Sequence, residues 1–285
     1  ESTFFFYFTY IGNYMYRIIF LKNYFLKRLT ILLGLLSVFC INSTFSNVTA
    51  TATLFEVKGP IGPPSVSFIE SAIKNATSNQ SAILILQLDT PGGMDSSMRK
   101  IIQLLMTSPV PVVTFVSPSG ARAASAGTYI LYASHVAAMA PGTNIGAATP
   151  IQLGGGSKQE KTGPDEENLS SSGESDMQRK IINDAEAYLR SLAQLRGRNV
   201  EWTASAVRNG ESLSAEEALQ KNVIEIIATH VPDLLAQLDG KEIKMINQTL
   251  VLQTSGLTIK KLEPDWHTQL LSFITNPNVA YILML

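Results

Sequence analysis

Ser125 is the residue best placed to act as a nucleophile. It lies among Ala123, Ala124, Ala126 and Gly127, directly after the Ser117-Pro118-Ser119-Gly120 turn and directly before an apolar helical run. A serine at such a strand-to-helix junction has little side-chain bulk around it, so a carbonyl carbon can reach Oγ. The free N–H groups of the helix N-terminus favour developing negative charge there. The same small residues would also let a helix pack closely on a sheet, and spacing alone supports both readings equally. A second stretch, Ala82-Ile83-Leu84-Ile85-Leu86-Gln87-Leu88-Asp89-Thr90-Pro91-Gly92-Gly93, reads as a buried strand ending in a turn. Its two glycines would let backbone approach a ligand closely.

A serine hydroxyl needs a base. His135 lies ten residues beyond Ser125, about 15 Å along a helix, and so points at the wrong end. His230 falls in a late loop, and His267 falls next to an apolar tail. A lysine that can shed its proton is the other option. Lys180 opens a long helix; Lys158 and Lys161 compete with it but sit in a polar stretch where water would keep them charged. Arg179 is excluded, because guanidinium does not deprotonate at working pH. Asp184, at i+4 from Lys180, could pair with it and keep it charged. Ser96 and Ser97 read as a helix N-cap rather than as nucleophiles.

The elements that must position these groups follow from periodicity. Helices are expected over 65–75, 94–106, 125–134, 177–196, 200–208, 214–221 and 231–238, and strands over 53–57, 83–88, 110–116, 136–139 and 224–228. Ser214 with Glu217 is a capping box, and Gly197 is a helix stop. Alternating strands and helices imply a mostly parallel α/β sheet, with sites at the carboxyl ends of its strands, where Gly92-Gly93 and Ser125 both fall. Residues 152–176, rich in Gly, Ser and charge, read as a disordered insertion, and 241–252 as a hairpin on the rim, within a rim and linker segment over 241–268.

The 285 residues suffice for a sizeable core, and a net charge of −1 implies neither an acidic nor a basic partner. Nothing points to nucleic-acid binding. The single cysteine, Cys40, excludes an internal disulfide and a zinc-type cluster, and the histidines lack metal-ligand spacing, so no metal or other cofactor is expected. Residues 1–52 read as a secretory signal: a start at Met15, basic residues, the apolar run 29–41, and an Ala50-Thr51-Ala52 cleavage site. An uncleaved N-terminal anchor is the competing reading. Phe39 argues against a lipoprotein role for Cys40. The mature domain is expected on the periplasmic face of a bacterial inner membrane.

Leu88-Asp89-Thr90-Pro91-Gly92-Gly93, followed by Gly120-Ala121-Arg122-Ala123-Ala124-Ser125-Ala126-Gly127, resembles the Clp-protease/crotonase superfold. Within that superfold the chain resembles the NfeD-family membrane-bound serine proteases, relatives of signal peptide peptidase A, over roughly residues 53–240. The stretch from Ala204 through Leu213-Ser214-Ala215-Glu216-Glu217-Ala218 to Val223-Ile224-Glu225 extends the likeness. Residues 269–285 resemble the start of that family's first transmembrane helix. The resemblance implies a Clp-protease/crotonase-like parallel sheet with flanking helices, and a Ser-Lys dyad in which Lys180 matches the lysine's place best. It also implies an oxyanion hole from the N–H groups of Gly93 and Ala126, with Gly92 and Gly127 at the substrate. The expected substrate is an apolar peptide such as the C-terminal tail of a stomatin-like protein, and the expected unit is a homodimer. Two rivals remain: a catalytically silent scaffold for stomatin-like partners, and a crotonase-like acyl-CoA enzyme. The latter would need a glutamate that neither motif supplies.

Overall fold

The structure is a computed structural model that describes residues 22, 24–30, 50–150, 171–246, 248–264, 270 and 274. The chain forms two compact units, Glu1–Val48 and Thr49–Leu285. In the first unit the described residues are helical and exposed, with Arg28 donating to the Tyr24 hydroxyl at 2.6 Å. Most of the expected signal segment, Lys158 and Lys161, most of the polar insertion, His267 and most of 269–285 lie outside the described residues. Among those described, no helix is long and apolar enough to cross a membrane.

The second unit is built on a parallel sheet. In chain order its elements are β1 (Thr51–Lys58), α1 (Pro63–Ser78), β2 (Ile83–Asp89), α2 (Asp95–Met106), β3 (Val112–Val116), β4 (Arg122–Ala124), α3 (Ala126–Ala133), β5 (Val136–Met139) and β6 (Asn144–Gly146). There follow α4 (Ser171–Arg196), α5 (Glu201–Arg208), β7 (Ser212–Ser214), α6 (Ala215–Gln220), β8 (Ile226–Ile227), α7 (Val231–Leu238), β9 (Glu242–Lys244), β10 (Thr249–Val251) and β11 (Thr258–Leu262). Six strands pair in the order β11-β1-β2-β3-β5-β8, every pair parallel.

Period-two alternation sends side chains to two cores, one on each face of the sheet. Leu84, Leu86, Leu88, Val112 and Val116 pack with α1 to α6 on one face. Ile83, Ile85, Val113, Phe115 and Ala138 pack with α7 and the β9-β10 hairpin on the other. Phe68 of α1 meets Phe55 of β1 edge to face, 5.6 Å between centroids.

Four expectations change. The small sheet β4-β6-β7 was not foreseen, because three-residue strands of Ala, Gly and Ser carry no hydrophobic period. Helix α4 begins at Ser171 rather than Met177; residues 176–180 are exposed, so the helix has no apolar stripe there to mark it. The segment expected to be rim and linker supplies the predicted hairpin but also β11, an edge strand of the main sheet. The strand expected over 53–57 starts at Thr51, with Thr51 and Ala52 paired to Thr258 and Ile259, so cleavage after Ala52 would remove the first two residues of β1.

Candidate active site

The N-cap of α3 is Ser125 itself, partly exposed, at φ 49° and ψ −115°. This is a backbone conformation that L residues seldom adopt, and it persists only where the surroundings impose it. Three contacts impose it here. The Ser125 N–H donates to Ala147 O at 3.0 Å, the Ser125 carbonyl accepts from Thr128 N–H at 2.9 Å, and Ala124 N–H donates to Thr90 O at 3.1 Å. Thr128 Oγ1 donates to Ala123 O at 3.0 Å and ties the first turn of α3 back to β4.

The glycine turn lies against this serine. Gly92 adopts φ 115°, and a Cβ there would fall 2.6 Å from Ser125 Cβ and 3.1 Å from Oγ. Gly93 is held by the β1–α1 loop: Ile61 N–H donates to Gly92 O at 2.8 Å, and Met94 N–H to Ile61 O at 2.9 Å. A Cβ on Gly93 would strike Ile61 O at 2.1 Å. Each of these glycines therefore makes room for the protein itself. The turn is fastened by Thr90, which is fully buried and whose Oγ1 accepts from Gly92 N–H at 3.0 Å. That role escaped the sequence reading, although Thr90 stood within the motif. Neither the Gly93 nor the Ala126 N–H donates a hydrogen bond to any described residue, so both remain available beside the serine.

Gly127, expected at the substrate, is buried. A Cβ on it would meet the Thr90 methyl at 2.6 Å, so this glycine lets α3 sit close to the end of β2. Ser96 and Ser97 are not the N-cap of α2. Met94 takes that position, and the serines lie inside the first turn, with Ser97 buried.

Both described histidines are structural. His135 lies just beyond α3, where its Nδ1 accepts from Val112 N–H at 3.1 Å. Burial, then the nearby charges of Arg196 and Arg198, lowers its pKa to about 3, so the ring is neutral at physiological pH. His230 caps α7, accepting from Asp233 N–H at 3.0 Å.

Lys180 stands on the exposed stretch 176–180 of α4. Helices α3 and α4 lie side by side and run the same way. Tyr129 Oη donates to Ala185 O at 3.2 Å, from the first turn of α3 to the middle of α4, and Arg196 Nε to Ala133 O at 2.9 Å near their ends. At a rise of 1.5 Å per residue, Ser125 lies about 6 Å before Tyr129 and Lys180 about 7.5 Å before Ala185. Along the pair, both therefore lie on the same side of the Tyr129–Ala185 contact, at similar distances from it. The anticipated pairing of Lys180 with Asp184 does not form: Asp184 accepts from Arg99 Nη2 at 2.6 Å, and Lys180 makes no ion pair among the described residues.

The C-terminal end of α3 is anchored by arginines that the sequence did not single out for this role. Arg198, fully buried in its side chain, donates from Nη1 to Leu131 O and Tyr132 O at 3.1 and 2.7 Å. Its Nε and Nη2 meet the two Glu225 oxygens at 2.7 and 2.9 Å, and Glu225 also accepts from Ala137 N–H.

Fold and site together define a class: parallel α/β domains that hold a strained serine at a strand-to-helix turn, against a glycine turn whose Gly93 N–H has no partner among the described residues. More narrowly, the chain belongs to the family of NfeD1b N-terminal domains, whose family model matches residues 55–248. It is similar to the membrane-bound protease PH1510 of Pyrococcus horikoshii, 38% identical over 232 residues, which are 80% of this chain and 49% of that protein. It is also similar to the membrane protein NfeD1b of Bacillus subtilis, 35% identical over 96 residues, 33% of this chain and 21% of that one. The chain thus spans about half the length of the first relative and less of the second. Among solved structures, the 1510-N membrane protease specific for a stomatin homolog from P. horikoshii superposes with a TM-score of 0.66 at 31% identity, covering 80% of this chain and 99% of the other. A lysine-to-alanine mutant of the 1510-N stomatin-specific protease with a substrate peptide gives a TM-score of 0.68 at 34% identity, covering 80% and 98%.

Proposed function

We propose that this protein is a membrane-associated serine endopeptidase that works through a Ser125-Lys180 dyad. Ser125 Oγ attacks the peptide carbonyl while Lys180 Nζ takes its proton and returns it to the departing amine. The N–H groups of Gly93 and Ala126 receive the oxyanion; each such donor contributes ~3–4 kcal/mol in related chemistry. Water then hydrolyses the acyl-enzyme on Ser125. The chemistry uses only side chains and backbone N–H groups. The observation that carries the reading is the strained N-cap serine with Oγ set against the glycine turn. That Ser125 and Lys180 precede the Tyr129–Ala185 contact by similar lengths along α3 and α4 supports the role of Lys180 as base, as do the relatives, whose structures include a serine-to-alanine and a lysine-to-alanine mutant.

The substrate proposed is an apolar peptide such as the tail of a stomatin-like protein, because the structural neighbours are described as stomatin-specific. Membrane association follows the relatives' description as membrane proteins. The extracytoplasmic side and a homodimeric unit remain part of the proposal, open to protease-protection and light-scattering measurements.

The decisive test is labelling of the full chain by a fluorophosphonate probe, with peptide mapping. Ser125 is expected to carry the adduct, and both Ser125→Ala and Lys180→Ala should reduce labelling to background. Labelling that survives Lys180→Ala would move the base elsewhere. A folded chain that never labels would favour the scaffold.

A further inference from the structure

Helical spacing puts two carboxylates within reach of Lys180: Asp176 at i−4 and Asp184 at i+4. Each is held by an arginine instead. Arg179 of the same helix takes Asp176. Arg99 of α2 takes Asp184 through Nη2 at 2.6 Å. Arg99 is itself fixed from further sides, since its Nε meets Asp95 Oδ2 at 2.9 Å and its guanidinium lies 4.5 Å from the centroid of the Tyr188 ring. Tyr188 stacks on Tyr129 of α3, 6.0 Å between centroids. Arg99 therefore joins the helix that follows the glycine turn to the helix that bears Lys180.

We propose that Arg99 is a positioning residue that draws Asp184 away from Lys180 and leaves the amine without a carboxylate partner. The inference rests on Lys180 as the base. An amine paired with a carboxylate holds its proton, whereas a base must be able to stand without it. The charged and titratable groups around this stretch are few. On α4 they are Asp176, Arg179, Asp184, Glu186, Tyr188 against the Arg99 guanidinium, and Arg190, which pairs with Glu186; on α2, Asp95 and Arg99; on α3, Tyr129, whose hydroxyl is bound to Ala185 O. On α5 there is Arg208, which is spent on Glu186 and on Asn183 at 2.8 Å. Of these, Arg99 is the cation that reaches Asp184 from another helix. Burial opposes the Arg99 charge, but Asp95 and then Asp184 outweigh it and raise its pKa, so this guanidinium keeps its charge.

The test is the pH dependence of the rate of Ser125 labelling by a fluorophosphonate probe on the full chain. In Arg99→Met the stem still covers Tyr188, but Asp184 is free to turn to Lys180. The acidic limb of the profile should then move up by about 0.3 pH unit, with the alkaline plateau kept within about twofold. Adding Asp184→Asn should return the limb to its original place. Asp184→Asn alone should leave it unmoved, and Arg99→Lys should keep it close to the original. An unmoved limb in Arg99→Met, a shift that survives Asp184→Asn, or a loss of rate uniform in pH would overturn the proposal. A downward shift in Asp184→Asn alone would do the same, since it would mean that Asp184 already acts on Lys180. Full labelling in Lys180→Ala is a different failure, that of the dyad itself.

Discussion

Ser125, Gly92 and Gly93 illustrate how little room separates the proposed nucleophile from its supports. Gly92→Ala would push a methyl into Ser125 and force an L residue to φ 115°, so Ser125 labelling should slow at least ~100-fold while the chain still folds. Gly93→Ala meets backbone rather than side chain, at Ile61. It should therefore lower stability by about 3 kcal/mol, read as a lower urea midpoint, because a carbonyl cannot swing aside as a side chain can. His135 makes a pH prediction. Its folded pKa of about 3 lies below the unfolded value of 6.5, so the unfolded chain binds the extra proton between these values. The contribution is whole above about pH 6.5 and is lost as pH falls toward 3, at a slope of up to ~1.4 kcal/mol per pH unit. His135→Asn, which can still accept from Val112 N–H, should flatten that slope in urea unfolding across pH 4–7. At this scale the serine motif was readable because small residues and turns mark it in one dimension. The burial of Gly127 and the clamp from Thr90 were not, because both depend on what lies across the turn in space.

Helix α3 is the element on which the site depends, and it is fixed at both ends. Its N-cap is tied to β4 and to the loop after β6, while Arg196 and Arg198 bind its last carbonyls, where cations also suit the helix dipole. Arg198→Met would strip Glu225 of its bidentate partner and should cost about 3 kcal/mol in urea unfolding. Arg198→Met combined with Glu225→Leu should recover much of that loss, because an unpaired carboxylate in a largely buried site costs more than an apolar pair. Apolar periodicity sufficed to place α3 and the packed length of α4, and the Ser-x-x-Glu spacing placed the Ser214-Glu217 capping box, which forms with Ser214 Oγ accepting from Glu217 N–H at 3.3 Å. Gly197 stops α4 at φ 69°, as its type suggests. The use of Arg198 could not be read from its neighbours, since its partners lie 27 and 66 residues or more away.

At the scale of the whole domain, one parallel sheet separates two cores, and its β1 edge is covered by β11 rather than left open. A chain ended at residue 256 would lose β11 and uncover the backbone of β1. Its thermal midpoint should drop by about 5 °C or more, with greater aggregation on heating. The sequence by itself determined the parallel α/β class, the order of the long elements, the serine and the glycine turn. Each of these is written in local periodicity, in turn residues or in a contiguous motif. Only the tertiary structure decided that three-residue strands hold the serine, that β11 joins the sheet, and that Asp184 answers to Arg99 rather than to Lys180. Those outcomes depend on pairings between distant segments, where a short strand or a charged side chain takes the partner that packing brings to it.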